Sequence, residues 1–232
     1  MNHKTFSLGL LATAALLMAG SASAQYTIQL GAAYLDPGSS ASATTGPLTP
    51  ANALSLKVQP QSTVFFSVAR EINDNWDLQL ALGYPPTHDV QLKLLKTAGL
   101  PASVVAADGQ KIGTVRQIAP TLFANYKFGA ASDTLRPFVG VGINYTMFDE
   151  AKSNDLNNSL NGGITNSKLT DSWGLAAQVG ATYKLGGPWS LTGVFSTADV
   201  KTTLTTNTLG IERKTDVKFN PSVFTLAVGY SF

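Results

Sequence analysis

Ser222-Val223-Phe224-Thr225-Leu226-Ala227-Val228-Gly229-Tyr230-Ser231-Phe232 closes the sequence, and its pattern decides the fold. Phe224, Leu226, Val228, Tyr230 and Phe232 take every second position, with small or polar residues between them. A period of two lays the large apolar side chains on one face of a β-strand and the small ones on the other. Upstream the alternation recurs. It is cleanest in Trp173, Leu175, Ala177, Val179, Ala181, Tyr183 and Leu185, set against Ser172, Gly174, Gln178, Gly180 and Thr182. It predicts further strands over 26–35, from Leu56 to Val68, 76–84, 118–128, 136–148 and from Trp189 to Phe195. The fold class expected is all-β: an eight-stranded antiparallel transmembrane barrel.

The connections between these strands alternate between long and short. Residues 36–54, 90–113, 149–168 and 202–216 form the long ones, with a short helix expected near 91–98. The short ones fall at 71–75, 129–134 and Gly186-Gly187-Pro188. Outer-membrane barrels carry long extracellular loops and short periplasmic turns. Trp76, Tyr126, Trp189, Tyr230 and Phe232 sit beside the short turns, where a membrane-belt girdle of aromatics belongs. A soluble lipocalin-like barrel also has eight strands, but it has no need of that girdle.

Residues 1–24 hold Lys4, an apolar run from Leu8 to Ala19 and the small-x-small ending Ala22-Ser23-Ala24. This is a cleaved signal peptide by pattern, its apolar run being shorter than the ~20 residues of a spanning helix. A mature barrel domain over 25–232 is expected, in the outer membrane of a Gram-negative-type cell. The chain has no cysteine, so no disulfide staples it. Charged residues make up 13%, against about 25% in soluble domains. A formal charge of +2 without a basic cluster gives no nucleic-acid partner.

Pro60, Pro85, Pro86, Pro120 and Pro221 lie about 11–13 residues from the nearest short turn or the terminus. At ~3.3 Å per residue and ~40° tilt, this is a common height near the top of the ~30 Å hydrocarbon layer. Proline cannot donate to a ladder. The prolines either mark strands leaving the membrane or open a gap in the wall between the second, third and fourth strands. The inward faces carry Gln79, Ala81, Phe123, Asn144, Gln178, Val194 and Ser196, with few charges. Eight strands leave room only for side chains or one small ligand, which excludes a wide aqueous pore. Either the lumen takes an apolar solute or the side chains simply fill it.

His88, beside Asp89, is the one histidine after residue 24 and is expected on a loop or rim. No Gly-x-Ser-x-Gly elbow accompanies it, and one histidine without cysteine makes a poor zinc site. No catalytic residue, metal or cofactor is expected, and the chain is not read as an enzyme.

Four stretches carry a family resemblance: Tyr84-Pro85-Pro86-Thr87-His88-Asp89-Val90, Ala119-Pro120-Thr121-Leu122, residues 136–146 (RPFVGVGINYT) and residues 171–180 (DSWGLAAQVG). With the terminal Gly229-Tyr230-Ser231-Phe232, they resemble the OmpW/AlkL family of small outer-membrane barrels. The resemblance implies a barrel that takes up small hydrophobic molecules and lets them leave sideways into the membrane. Pro85 and Pro86 would border that exit, and Pro60 and Pro120 would flank it. Implied partners are outer-membrane lipid and lipopolysaccharide, small hydrophobic solutes, and the barrel-assembly machinery through the C-terminal strand. Family members can place bulky apolar residues across the lumen where Ala81 and Ser196 stand here. The constriction is therefore expected to be looser, or to be formed by Phe123 and the loops. The alternative is a structural or receptor-type barrel with a plugged lumen and loop-mediated binding.

Overall fold

The computed structural model describes residues 25–232, and the expected signal peptide, residues 1–24, lies outside the described residues. In chain order the elements are β1 (Tyr26–Asp36), β2 (Ser39–Ala41), β3 (Leu54–Val58), β4 (Gln61–Glu71), β5 (Trp76–Gly83) and β6 (Thr87–Leu94). Then come α1 (Ala102–Val105), β7 (Lys111–Ile118), β8 (Thr121–Lys127), β9 (Leu135–Ser153), α2 (Asp155–Leu160) and β10 (Thr165–Leu169). The chain finishes with β11 (Ser172–Gly186), β12 (Trp189–Ala198), β13 (Val200–Thr208), β14 (Ile211–Phe219) and β15 (Ser222–Ser231).

Eight of the strands close a ring. Around it run β1, β4, β5, β8, β9, β11, β12 and β15, each antiparallel to both neighbours. The seam joins the two ends of the described chain. Thr27 lies opposite Ser231 and Asp36 opposite Ser222. Below them Tyr26 N donates to Phe232 O at 3.0 Å, and Phe232 N to Tyr26 O at 2.9 Å. Leu30, Val141, Leu175 and Leu226 point outward and are exposed, whereas Gln29, Ser67, Gln79 and Thr192 point inward and are buried. That inversion of a soluble core suits a wall surrounded by lipid.

The long connections expected as loops are a second tier of sheet. Residues 36–54 include β2, and the strand expected from Leu56 to Val68 breaks at Gln59-Pro60 into β3 and β4. The helix expected near 91–98 is instead the end of β6, which pairs with β3 on one side and β7 on the other. The short helix α1 comes later. Residues 149–168 hold the end of β9, α2 and β10, and 202–216 belong to the β13–β14 hairpin. Ladders link β3–β6–β7–β9–β10–β13–β14–β2. Between β2 and β3, Ser55 Oγ donates to Ala41 O (3.0 Å) and Val58 N to Ser39 Oγ (3.1 Å). The extracellular segments thus form a crown, stacked on the membrane barrel and sharing β9 with it.

At the waist between the two tiers only β9 runs through unbroken. Pro37, Pro60, Pro85-Pro86, Pro120 and Pro221 occupy five of the other crossings. A residue without an N–H ends one ladder and lets the next begin at a new angle.

Seam closure depends on Gly31. A Cβ there would lie 2.1 Å from Leu226 O and 2.6 Å from Ala227 Cα, both backbone atoms of β15. Gly31→Val is expected to destabilise the barrel by about 1–3 kcal/mol. Gly193→Val, whose Cβ would meet nothing within 4 Å, is expected to be neutral or better. Urea titration followed by the mobility shift of folded and unfolded barrel on unheated gels reads both.

Candidate functional site: a two-chambered lumen with a breach in the wall

Three levels divide the interior. The crown encloses an upper cavity of about 330 Å³, walled by Leu54, Leu56, Leu92, Val104 and Ile112 on one side. Its base is a packed apolar layer of Val58, Val115, Leu169, Val200, Val217 and Phe219. Phe148 joins the layer, its ring centroid 6.3 Å from that of Phe219. Beneath lies a lower cavity of about 140 Å³ at the waist.

Ala81, Phe123, Asn144, Gln178, Val194 and Ser196, all expected to face the lumen, line this lower cavity. Gln79 stands one layer deeper, in a polar floor. Gln79 Nε2 donates to Gln29 Oε1 (3.0 Å), and Gln178 Nε2 donates to Gln79 Oε1 (2.9 Å) and Asn125 Oδ1 (2.6 Å). Ser67 Oγ donates to Gln29 Oε1 at 2.8 Å, Gln29 Nε2 to Thr192 Oγ1 at 3.1 Å, and Asn125 Nδ2 to Asp77 Oδ1 at 2.7 Å. Lys127 Nζ lies 2.7 Å from Glu71 Oε1 and 3.1 Å from Asp77 Oδ2. Arg136 Nη2 donates to Asp74 O at 2.7 Å. The lumen expected to be nearly uncharged therefore carries its charges at and below the floor. An apolar solute gains nothing by breaking these bonds, because each orphaned group would lose a partner in a low-dielectric interior.

Sideways, the wall is thin. The β4–β5 ladder ends at Phe65 opposite Gly83, with two further bonds, from Tyr84 N to Val64 O (2.9 Å) and from Thr63 Oγ1 to Tyr84 O (2.6 Å). Pairing resumes where Gln59 N donates to Asp89 O (2.9 Å), next to Val58 opposite Val90. On the other flank β5 leaves β8 at Ala81 opposite Thr121, and β6 meets β7 at Thr87 opposite Arg116. Among the described residues no backbone hydrogen bond joins 60–62 to 85–87, or 82–85 to 118–120. Pro60, Pro85, Pro86 and Pro120 fall within these stretches, so three neighbouring strands lack donors at one level. The lower cavity reaches this breach: Leu82, Gly83 and Pro86 line it, although Leu82 belongs to the outward register of Trp76, Leu78 and Leu80.

His88, expected on a rim, is instead 1% exposed directly above the breach. Its Nδ1 lies 2.8 Å from Gln59 O and its Nε2 3.4 Å from Gln117 Nε2. The assigned arrangement is an Nδ1–H donating to the carbonyl and an Nε2 lone pair facing the amide. This ties the chain just above Pro60, β6 and β7 together. Sequence reasoning placed the histidine on a loop because β6 was not recognised as a strand. It also missed Phe219 and its layer, although the spacing of Val217 and Phe219 before Pro221 is a strand signal.

At the lower girdle, Trp76 meets Tyr126 edge-on at 5.2 Å, Trp189 meets Tyr230 at 5.0 Å, and Tyr230 lies 6.5 Å from Phe232. An upper set not singled out from the sequence includes Tyr145 stacked on Trp173 at 4.4 Å and Phe195 against Phe224 at 5.0 Å. Two aromatic bands bound an apolar wall, and the architecture defines an eight-stranded barrel of the bacterial outer membrane.

The sequence model of the OmpW family matches residues 44–232. Outer membrane protein W of Vibrio cholerae is 37% identical over 166 residues, covering 69% of this chain and 76% of the relative. The crystal structure of the outer membrane protein OprG from Pseudomonas aeruginosa superposes with a TM-score of 0.78 at 27% identity, covering 92% of this chain and 98% of that one. A protein named dibenzothiophene metabolism operon protein PahQ, of Pseudomonas aeruginosa, is 27% identical over 72% of this chain and 70% of its own length. The chain belongs to the OmpW family.

Burial holds the His88 pKa below its ordinary 6.5, against the hydrogen bond to Gln59 and the nearby Asp89 carboxylate, which push it up. A base whose folded pKa is lowered leaves stability unchanged above the unfolded value and penalises the folded form as pH falls below it. Amide protection around Gln59 and Gln117 is therefore expected to weaken between pH 7.5 and 5, after correction for intrinsic exchange. His88→Asn should abolish that pH dependence, as read by hydrogen exchange.

Proposed function

We propose that this barrel is a passive channel that admits small apolar molecules from outside the cell and releases them sideways into the outer membrane. The observation that carries this reading is the lower cavity, shut below by a satisfied polar network and bordered at its side by Leu82, Gly83 and Pro86. Such a solute has to cross the polar lipopolysaccharide layer, and the hydrocarbon interior is its favourable destination. A path past the polar layer suffices, and no energy source is required. Irregular backbone at membrane depth is tolerated where it lines a cavity, which suits a breach placed at the waist. A relative named for the metabolism of dibenzothiophene, an apolar aromatic compound, fits the same solute class. The same reading includes export with removal of residues 1–24, insertion by the barrel-assembly machinery through the C-terminal strand, and no catalytic role.

Continued two residues past Phe65 and Gly83, the register of β4 and β5 sets Thr63 across from Pro85. Cysteines placed there can bridge the breach, and the chain contains no other cysteine to compete. In the double variant Thr63→Cys/Pro85→Cys, oxidation is expected to lower toluene uptake to the level of cells lacking the protein, and reduction to restore it. Equal uptake by the oxidised and reduced forms would sink the lateral exit. Uptake equal to that of cells lacking the protein in both forms and in the parent chain would favour a plugged barrel that binds through its crown.

A further inference from the structure

Arg213 points inward from β14, on the face that also carries Thr215, Val217 and Phe219. It lies near the outer end of the crown, opposite Thr206 and close to the Leu209-Gly210 turn. Its Nη1 is buried without a hydrogen-bond partner, and Arg213 enters no ion pair among the described residues. Neighbouring acids do not reach it, since Glu212 lies on the opposite face of the strand and pairs with Lys214 at 3.2 Å. No aspartate or glutamate lines the upper cavity. Thr206, Thr215 and Thr44 flank Arg213 in the lining, the last two hydroxyls 2.8 Å apart, and Asn157 of α2 and Asn161 just after it add polar groups elsewhere in it. The apolar lining includes Leu54, Leu56, Leu92, Val104 and Ile112.

A cation left without a counter-charge against an apolar cavity is expensive, and a guanidinium is shaped to take a carboxylate through two parallel hydrogen bonds. The cavity volume of about 330 Å³ is roughly twice that of an engineered apolar cavity known to admit benzene. We infer that the upper cavity binds small amphiphilic carboxylates, with the anionic head on Arg213 and the apolar body against Leu54, Leu92 and Ile112. This deepens the channel proposal by naming a solute class and rests on that proposal for its meaning as uptake, whereas binding is measured separately.

The probes are hexanoate and 1-hexanol at pH 7, followed by saturation-transfer NMR on the detergent-solubilised protein, wild type against Arg213→Gln and Arg213→Lys. Removing a charge-assisted pair is expected to weaken hexanoate binding by about tenfold in the glutamine variant and to leave 1-hexanol unchanged. The lysine variant should keep part of the hexanoate affinity, which separates lost charge from lost packing. Hexanoate binding that ignores Arg213, or parallel loss of both probes in both variants, would overturn the inference. Toluene uptake distinguishes the two proposals. Arg213-dependent hexanoate binding without facilitated toluene uptake leaves the site standing and removes the channel. Facilitated toluene uptake with Arg213-independent hexanoate binding does the reverse.

Discussion

Every backbone N–H and C=O in the hydrocarbon layer needs a partner from the protein itself, and closure of the sheet supplies them all at once. The rest of this molecule follows from that condition. Eight antiparallel pairings return β15 to β1, so the wall has no edge. With backbone polarity satisfied internally, the outer face is free to carry Leu30, Val141, Leu175 and Leu226 into lipid. Eight strands leave an interior just wide enough for side chains, and Gln29, Gln79, Asn125 and Gln178 fill it with polar groups that satisfy one another. The floor is therefore tight because it is polar.

The same condition explains why the breach lies where it does. Unpaired backbone deep in hydrocarbon costs several kcal/mol per group. At the waist, the cavity and the crown above it relieve that cost. Prolines contribute by removing donors, so that the missing ladder bonds around residues 60–62 and 82–87 leave fewer groups unsatisfied than any other residue type would. His88 and Gln117 then hold the strands together directly above, which confines the unpaired stretch to one level. A crown that is itself nearly a closed ring walls the upper cavity with paired strands.

The interior is graded in polarity along its axis. Outermost is an amphipathic chamber lined by Arg213 and by leucines. Next comes the apolar layer with Phe148 and Phe219, then a small mixed cavity, then the hydrogen-bonded floor. On the proposed route an apolar solute has to part the packed layer of Phe148 and Phe219 between the two cavities, and it gains nothing at the floor.

The period-two alternation in Ser222–Ser231 and Ser172–Gly186, the short turns and the girdle of Trp76, Tyr126, Trp189, Tyr230 and Phe232 were enough to establish an eight-stranded membrane barrel. They suffice because lipid outside and side chains inside impose strict alternation. The crown was not legible in the same way. Its inward faces mix threonines with apolar residues, as in Val200, Thr202, Leu204, Thr206 and Thr208, so hydropathy hardly alternates although threonine suits a strand. The common height of the prolines was visible along the chain, but not which of them stand on neighbouring strands. That the missing donors of Pro60, Pro85-Pro86 and Pro120 fall on adjacent strands, that His88 is buried above them, and that Arg213 faces a cavity without an acid are facts of register. Register links residues far apart in sequence, so only the closed ring decides them.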